Sequence, residues 1–174
     1  MAKAAKNGGK NGNGASAAVP LRARVEGGGT PLMQGWGMKS EAGKLTDVLL
    51  GPPEGFRWMG EENAQWSALV RDTLRRGYKF DKQLAMRQHR EMVDAYHQAG
   101  VTTHFLPLDM TNPYQVYARD SSFMSPYGAV VCQLANPRRR GEYAAVLRFY
   151  LENDIPIYDM ISAGNFEGGD FNII

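Results

Sequence analysis

Two short acidic motifs are the parts of this sequence whose residue types suit chemistry. Residues 117–122 (YARDSS) place Arg119 beside Asp120 inside a strand-like run, and residues 167–170 (EGGD) place two glycines between carboxylates. Glycines permit a close backbone approach and positive φ angles. Taken singly, an arginine-aspartate pair is usually a surface charge pair, and a Gly-Gly flanked by acids is usually a turn. Taken together, two carboxylates match the forked donors of a planar cation such as a guanidinium.

Carboxylates bind such a cation but do not transform it. The central carbon of a guanidinium is attacked most readily by a thiolate, and a histidine must protonate the leaving amine and later activate water. The lone cysteine, Cys132, lies in an apolar run typical of a buried strand, where a free cysteine is commonly a small core hydrophobe. His89, His97 and His104 lie outside both motifs, so we expect them to be solvated or core residues.

The elements that must position these motifs begin with a strand and a helix. Residues 45–50 (LTDVLL) predict a mostly buried strand, which residues 51–53 (GPP) end. A helix capped by Asp81 and ended by Gly100 follows, and then a strand over residues 101–106. The predicted apolar face of this helix consists of Leu84, Ala85, Met92, Tyr96 and Ala99.

A second unit repeats this order. Residues 114–124 and 128–134 predict two strands joined by a tight turn, and residues 155–158 predict a third after a helix. The arginine run at residues 138–140 precedes this helix and is predicted to be solvated, and a clamp for an anionic group is the alternative. The apolar face of the helix is predicted from i, i+3, i+4, i+7 and i+8 spacing at Tyr143, Val146, Leu147, Tyr150 and Leu151.

The order of helix, short turn and strand thus occurs twice, with Gly100 and Asp154 in matching places. We infer a weak internal repeat of mixed strand and helix units. Residues 164–174 predict a loop followed by a strand, which would start a third unit. An unpaired apolar strand needs another segment to satisfy its backbone groups, so a missing continuation or a second chain is expected.

Residues 116–120 (VYARD) followed by residues 165–170 (NFEGGD), with a helix between them, resemble the guanidine-modifying superfamily. That superfamily comprises arginine deiminases, dimethylarginine dimethylaminohydrolases and amidinotransferases. The strand at residues 45–53, the helix ended by Gly100 and the strand after it also resemble the first unit of this family. The resemblance covers residues 44–174, which is nearly everything outside the amino-terminal segment.

The resemblance implies an α/β fold, the five-bladed α/β propeller called a pentein, of which this chain would supply about two blades and the start of a third. It implies that Asp120 holds the substrate guanidinium, and that Glu167 contacts the substrate and orients a catalytic histidine. The resemblance also places Arg119 and Asp170 in the substrate-binding group. Arg119 is expected to position Asp120 or to close a salt bridge, and Asp170 is expected to be chiefly structural. The family's histidine and nucleophilic cysteine lie beyond this motif, so neither is assigned in this chain.

No metal or organic cofactor is implied, because thiolate chemistry on an already charged carbon needs none. The expected partners are a small guanidino compound, such as arginine or methylarginine, and a missing carboxyl-terminal half or second subunit. A homo-oligomer is left open.

Composition narrows the class of protein. The chain has 174 residues, about one domain, and a formal net charge of +2, which is too weak a field to favour nucleic acid or an anionic membrane as the main partner. A single cysteine excludes an internal disulfide framework and suits a reducing cytoplasm. No apolar run approaches the roughly 18 residues that span a bilayer.

Residues 1–38 are rich in Lys, Ala, Gly and Asn and carry few large apolar groups. Such a segment cannot offset its ordering entropy, so we interpret it as a flexible low-complexity tail. A basic binding arm or an organelle transit peptide is the alternative. Residues 39–174 are interpreted as the amino-terminal part of a pentein catalytic domain, incomplete at its carboxyl end.

Three functions compete. The leading one is a hydrolase or amidinotransferase acting on a guanidino compound, present as a fragment or as one subunit of a split enzyme and inactive alone. The second is a non-enzymatic pentein that binds a macromolecular partner. The third is a remnant that binds arginine-like ligands without turnover.

Overall fold

A computed structural model of the chain describes residues 37, 38, 40–58, 64 and 67–173. The described residues have the mixed α/β structure that the sequence predicts, whereas the number of propeller blades stays a prediction. Nearly all of the proposed tail, residues 1–38, lies outside the described residues, so that assignment also stays a prediction. The elements in chain order are β1 (Asp47–Leu50), α1 (Ala68–Arg75), α2 (Lys82–Gln98), β2 (Thr102–Phe105), α3 (Ala118–Ser121), β3 (Ser122–Ser125), β4 (Gly128–Val131), a 3₁₀ turn (Arg140–Glu142), α4 (Tyr143–Glu152), β5 (Ile157–Met160) and a second 3₁₀ turn (Gly168–Asp170).

Two small sheets carry these elements. In the first sheet β1 and β2 are parallel, with Asp47 opposite Thr102. In the second sheet β4 lies between β3, which is antiparallel to it, and β5, which is parallel to it. A two-residue turn joins β3 to β4, as predicted, and a parallel pair needs a crossover, which α4 provides between β4 and β5.

The ends of α2 and α4 have the same backbone geometry. Gly100 and Asp154 both have positive φ, 75° and 52°. The N–H of the next residue then donates to the carbonyl five positions back, from Val101 to Tyr96 at 2.9 Å and from Ile155 to Tyr150 at 2.8 Å. This pattern is the Schellman ending of a helix, which satisfies carbonyls in the last turn. The internal repeat inferred from the sequence is therefore present in the backbone.

The core lies mainly around the second sheet. All four residues of β4 are buried, and α4 covers them with Val146, Phe149 and Tyr150. The first unit contributes Leu106 to the same cluster, so the two sheets share apolar contacts. The members of the core cluster are Leu106, Ala118, Ala129, Val131, Val146, Phe149, Tyr150 and Ile155.

The predicted apolar face of α4 is partly wrong. Val146 and Tyr150 are buried, but Tyr143 and Leu151 are exposed, the latter by 69%. The buried stripe is rotated because Phe149, which the predicted spacing left out, packs inward with Val146. The face of α2 is also different from expectation, since none of its residues is buried and Leu84 is exposed. Strand β1 is half-buried rather than mostly buried.

Residues 114–124 do not form the single strand that was predicted. The chain turns instead. The N–H of Tyr117 donates to the carbonyl of Tyr114, and the N–H of Asp120 donates to the carbonyl of Tyr117. These short-range bonds form α3 and delay the strand until Ser122. This stretch contains a single β-branched residue, Val116, so local propensity offers little resistance to turning.

Two further differences concern the ends of the units. Helix α1 is not among the elements predicted from the sequence, and it begins where the Ser67 side chain accepts from the N–H of Val70. The strand predicted near the carboxyl end is wrong for residues 171–173, which form no strand. There the Phe171 ring stacks on Phe123 at 3.9 Å between centroids. None of the helices in the described part of the chain is long and apolar enough to cross a bilayer.

Candidate functional site

The first acidic motif lies where helix α3 passes into strand β3. Arg119 and Asp120 are in the single turn of α3, and Ser122 is already extended. The neighbouring Ala118 and Ser121 are buried, whereas Asp120 is half-buried and faces outward. The short helix thus turns the Asp120 carboxylate out of the sheet while its neighbours anchor it.

The second motif is held beside the first by close backbone packing. The N–H of Phe166 donates to the carbonyl of Gln133 at 2.9 Å, which ties this loop to the end of β4. A Cβ on Gly168 would overlap the Arg119 carbonyl oxygen and would lie 2.7 Å from that of Ser122. Only glycine permits this approach. The structure therefore brings together the two motifs that are far apart in sequence.

Arg139 organises the carboxylates on one side of the site. Its guanidinium donates to Asp120 Oδ2 at 2.8 Å, and to both carboxylate oxygens of Glu142 at 2.8 and 2.9 Å. Glu142 is 1% exposed and also accepts from the Ser121 hydroxyl at 2.9 Å. The Arg139 guanidinium lies 5.6 Å from the ring centroid of Tyr117.

The electrostatics of Arg139 follow from these partners. Desolvation acts to lower its pKa, but the hydrogen bonds and charges of Glu142 and Asp120 outweigh it, so the pKa is raised above that of a free guanidinium. Arg139 therefore stays charged at all pH values where the chain is folded. Its Asp120 bond leaves Oδ1 of that carboxylate without a hydrogen bond from the described residues.

The arginine run was predicted to be solvated, and this is wrong for Arg139, whose side chain is 12% exposed. Arg140 also has partners, the carbonyl of Leu134 at 3.3 Å and Asn165 Oδ1 at 3.5 Å. The signal available in the sequence was the three-residue spacing of Arg139 and Glu142. That spacing puts the two side chains on one side of a helical turn.

Arg119 does not hold Asp120. Its side chain donates to the carbonyl of Phe171 at 3.1 Å and approaches Glu41 at 3.9 Å. Arg119 therefore forms a salt bridge, the second of the two roles predicted for it, and Arg139 is the residue that contacts Asp120. The carboxylates of Glu167 and Asp170 have no ion pair or hydrogen bond from the described residues.

Cys132 lies close to these carboxylates but is sealed from solvent. It is 3% exposed, and its N–H donates to the carbonyl of Ser121. Burial, followed by the charges of Asp120, Glu167 and Asp170, raises the pKa of its thiol to about 12. A thiol in this state is not a nucleophile at neutral pH.

The histidines have other partners. His97 Nε2 lies 2.9 Å from the Thr103 hydroxyl, and His104 Nε2 lies 2.9 Å from Asp47 Oδ1. His89 is half-buried near the Phe105 ring. Each of these contacts lies in the first unit, away from the acidic motifs.

The arrangement suits an organic cation. Asp120, Glu167 and Asp170 supply three negative charges, and Arg139 must also compensate buried Glu142. The site therefore carries a surplus of negative charge, with unpaired oxygens that can accept the donors of a guanidinium. Within the described ranges no group of His, Cys, Asp and Glu side chains is arranged to hold a metal ion.

Comparison with known proteins gives consistent results. Residues 53–173 match the sequence model of a family described as N,N dimethylarginine dimethylhydrolase, eukaryotic. The chain is 27% identical over 132 residues to the uncharacterised protein YkgA of Bacillus subtilis (strain 168). The aligned region covers 76% of this chain and 44% of that protein.

Solved structures share the fold. The dimethylarginine dimethylaminohydrolase of Pseudomonas aeruginosa, in a mutant complexed with citrulline, has a TM-score of 0.56 and 19% identity, over 74% of this chain and 46% of that one. The amino-terminal domain of ArgZ, a cyanobacterial arginine dihydrolase bound to product, has a TM-score of 0.54 and 13% identity, over 72% and 43%. The chain thus spans less than half the length of these relatives.

Proposed function

We propose that this chain is the amino-terminal part of a hydrolase that acts on arginine or an arginine derivative. The proposal follows because the chain belongs to the eukaryotic N,N dimethylarginine dimethylhydrolase family, within the guanidine-modifying superfamily. In this proposal Asp120 and Glu167 bind the substrate guanidinium. Arg119 and Asp170 complete the proposed substrate-binding group, Arg119 through its bond to the Phe171 carbonyl and Asp170 as a third carboxylate.

One observation carries the proposal: Asp120 already binds a guanidinium in this structure, that of Arg139, through Oδ2. Asp120 Oδ1 accepts no hydrogen bond from the described residues, and it would lie 3.5 Å from a Cβ on Gly169. Glu167 and Asp170 flank the two glycines that pack against the Arg119 backbone and beside Asp120, so they add negative charge near that carboxylate. A guanidino ligand would satisfy oxygens that the described residues leave unpaired.

The reaction follows from the chemistry of the guanidinium. A thiolate adds to the central carbon, and the tetrahedral adduct expels an amine that takes a proton from a histidine. Water then attacks the remaining amidino carbon, with the histidine accepting its proton, and the thiolate is released as the ureido product forms. Asp120 and Glu167 hold the cation in line for attack and stabilise its charge.

Neither the thiol nor that histidine is proposed to be in this chain. Cys132 is buried and protonated, and His97 and His104 are paired in the first unit. Since the chain spans less than half of its relatives, we place both groups in a segment or subunit that this sequence does not contain. The chain alone is expected to bind weakly and to be inactive.

Hydrolysis is proposed ahead of amidino transfer because the structural relatives are named as a dimethylaminohydrolase and an arginine dihydrolase. A deiminase releases ammonia and a dimethylargininase releases dimethylamine. An amidinotransferase would require an added amine acceptor. The carboxylates of this chain bind the part that all three substrates share.

The test uses the product of the whole reading frame that contains this chain. We expect ureido product from arginine or methylated arginine, and the amine released identifies the reaction. Asp120→Ala and Glu167→Ala are each expected to lower kcat/KM by at least about a hundredfold while the protein stays folded. Asp94→Ala and Glu91→Ala, on the exposed face of α2, are matched controls that should keep activity.

Near-normal turnover in either site variant would remove the assignment of that carboxylate. Binding of arginine without turnover of any guanidino compound would favour a ligand-binding remnant. Absence of both would favour a non-enzymatic pentein.

A further inference from the structure

A closed ring of hydrogen bonds joins helix α3 to the first 3₁₀ turn and to Arg139, which precedes that turn. Asp120 Oδ2 accepts from Arg139 Nη1 at 2.8 Å. Arg139 also donates to both carboxylate oxygens of Glu142, at 2.8 and 2.9 Å, and Glu142 Oε2 accepts from the Ser121 hydroxyl at 2.9 Å. Ser121 follows Asp120 in the chain, so the ring returns to the residue beside its start. Glu142 is therefore linked to Asp120 by two routes, through Arg139 and through Ser121.

The ring is anchored on its buried side. Glu142 and Ser121 are each 1% exposed. The Ser121 carbonyl accepts from the Cys132 N–H at 3.0 Å, and the Glu142 N–H donates to the Arg139 carbonyl at 3.0 Å, so backbone bonds also hold both residues. The Asp120 side chain, by contrast, is 27% exposed. The ring thus ties a carboxylate that reaches solvent to groups that do not.

Glu142 occupies one whole edge of the Arg139 guanidinium. Nε and Nη2 lie on the same edge of that planar group, and each bonds a different oxygen of Glu142. A two-point contact of this kind fixes the plane of a guanidinium, whereas a single bond lets it swing. Nη1 then bonds Asp120 Oδ2, and Oδ1 accepts no hydrogen bond from the part of the chain that the structure describes.

The charges of the ring are unequally balanced. Asp120 and Glu142 are two carboxylates, and Arg139 is the one cation that bonds them both. Glu142 makes the two-point contact and is the more buried partner, so it takes up most of the Arg139 charge. The surplus negative charge lies on Asp120, which faces solvent. Without the Glu142 charge, Arg139 would cancel the attraction of Asp120 for a cation.

We propose that Glu142 is a positioning residue for substrate binding. It neutralises Arg139 and fixes its fork, so that Asp120 keeps a negative charge and its Oδ1 for the substrate guanidinium. The inference rests on the proposed function, in which Asp120 binds that guanidinium. Glu142 is buried, so it acts through Arg139 rather than by contact with the substrate.

Glu142→Gln in the product of the whole reading frame tests the role of the charge. Glutamine has the same shape and can still accept from Ser121 and Arg139, but it leaves Asp120 to balance the Arg139 charge alone. L-Arginine, or dimethylarginine if only that compound is turned over, is the cationic probe, and L-citrulline is its neutral ureido analogue. We expect the KM of the cationic probe to rise at least about tenfold with kcat within about threefold. The inhibition constant Ki of citrulline should stay within about twofold, because citrulline carries no charge on its ureido group.

Two further variants separate charge from structure. Glu142→Asp keeps the charge and should bring the KM to within about threefold of the wild-type value. Glu152→Gln, the same chemical change at an exposed position of α4, is the matched control and should leave KM and Ki unchanged. A purely structural role would lower the fraction of folded enzyme, and therefore the apparent kcat, without changing either constant.

Three results would overturn the proposal. They are an unchanged KM in Glu142→Gln, equal weakening of the cationic probe and citrulline, and a KM in Glu142→Asp as high as in Glu142→Gln. If Glu142→Gln does not fold, Ser121→Ala replaces it, because it removes one neutral bond to Glu142 and keeps every charge. Glu142 then holds Arg139 less firmly, and KM should rise about two- to fivefold with kcat unchanged. An unchanged KM in Ser121→Ala would overturn the proposal in that case.

Failure of the proposed function gives a different result. A wild-type product that turns over neither arginine nor dimethylarginine would refute the proposed function, and this inference with it. Normal turnover in the wild type together with an unchanged KM in Glu142→Gln would refute the positioning role alone.

Discussion

Removal of Arg139 is the most informative single perturbation of this protein. Arg139→Met keeps a long apolar stem and deletes the guanidinium that bonds Asp120 and Glu142. The side chain of Glu142 is 2% exposed, so its charge then stays buried, and the Ser121 hydroxyl is its remaining partner among the described residues. Asp120, at 27% exposure, can turn to water instead.

The expected loss of unfolding free energy follows from this difference in burial between Glu142 and Asp120. Breaking one partner of a buried ion pair costs about 3–5 kcal/mol, because an uncompensated charge is left in a poorly polarisable interior. Replacing both partners by apolar residues of similar volume is often close to neutral. We therefore expect Arg139→Met to cost about 3–5 kcal/mol, and the double variant Arg139→Met with Glu142→Met to recover at least about 2 kcal/mol of it.

Urea unfolding of the full chain at neutral pH, followed by circular dichroism, measures both variants. Arg139→Lys is the milder companion if Arg139→Met does not fold, since a point charge cannot span two carboxylates and should lose about 1–3 kcal/mol. If Arg139→Met lowers the unfolding free energy by less than about 1 kcal/mol, the Arg139 side chain lies in solvent, as in an ordinary run of surface charges. Strictly additive losses in the double variant would show that Arg139 and Glu142 do not form one network.

Three other predictions concern single positions. Because burial raises the pKa of Cys132 to about 12 from an ordinary 9.0, the folded chain should be alkylated by iodoacetamide about a thousandfold more slowly than the unfolded chain. The stability that this protonated thiol contributes is present below pH 9 and lost as pH rises toward 12, so Cys132→Ala should flatten the alkaline decline measured by urea unfolding. Gly100→Ala should lower the stability by about 1–2 kcal/mol through its positive φ alone, because an added Cβ has nothing within 4 Å. Asp154→Gly should raise the stability by a few tenths to about 1 kcal/mol, because Asp154 also has positive φ. Equal effects of the two changes would contradict the shared helix-ending geometry. Gly168→Ala should lower the stability by about 1–3 kcal/mol and separate the acidic motifs. Gly169→Ala should be tolerated, because its Cβ would lie 3.5 Å from Asp120 Oδ1. Thermal unfolding of the two variants measures this difference.

Local signals in the sequence predicted the parts of the fold that depend on local chemistry. Asp81 caps α2, Gly100 ends it, and the turn between β3 and β4 occurs where proline and glycine indicate it. The order of the two units also follows from these local signals, which are encoded by residues within a few positions of one another. The meeting of the two acidic motifs was expected from the family resemblance.

Features set by distant contacts were missed. Helix α3 forms where a strand was predicted, and Gly168, far along the chain, packs against the Arg119 carbonyl of that helix. Arg139 appeared to belong to a solvated run, since its partner Asp120 is brought to it only by the fold. The face of α4 was misplaced because burial is decided by what lies opposite each side chain. Periodicity alone does not contain that information.

The sequence separations within the Arg139 network carry a consequence for biosynthesis. Asp120 and Arg139 are 19 residues apart, and Ser121 and Glu142 are 21 apart, whereas the His104 to Asp47 contact spans 57. Contacts over short separations close small loops, which lowers the entropic barrier to forming them. On a ribosome that releases the chain from its amino end, this network can therefore assemble soon after Glu142 emerges. The Asp120 carboxylate would then be held by Arg139 before residues 143–174 have all emerged.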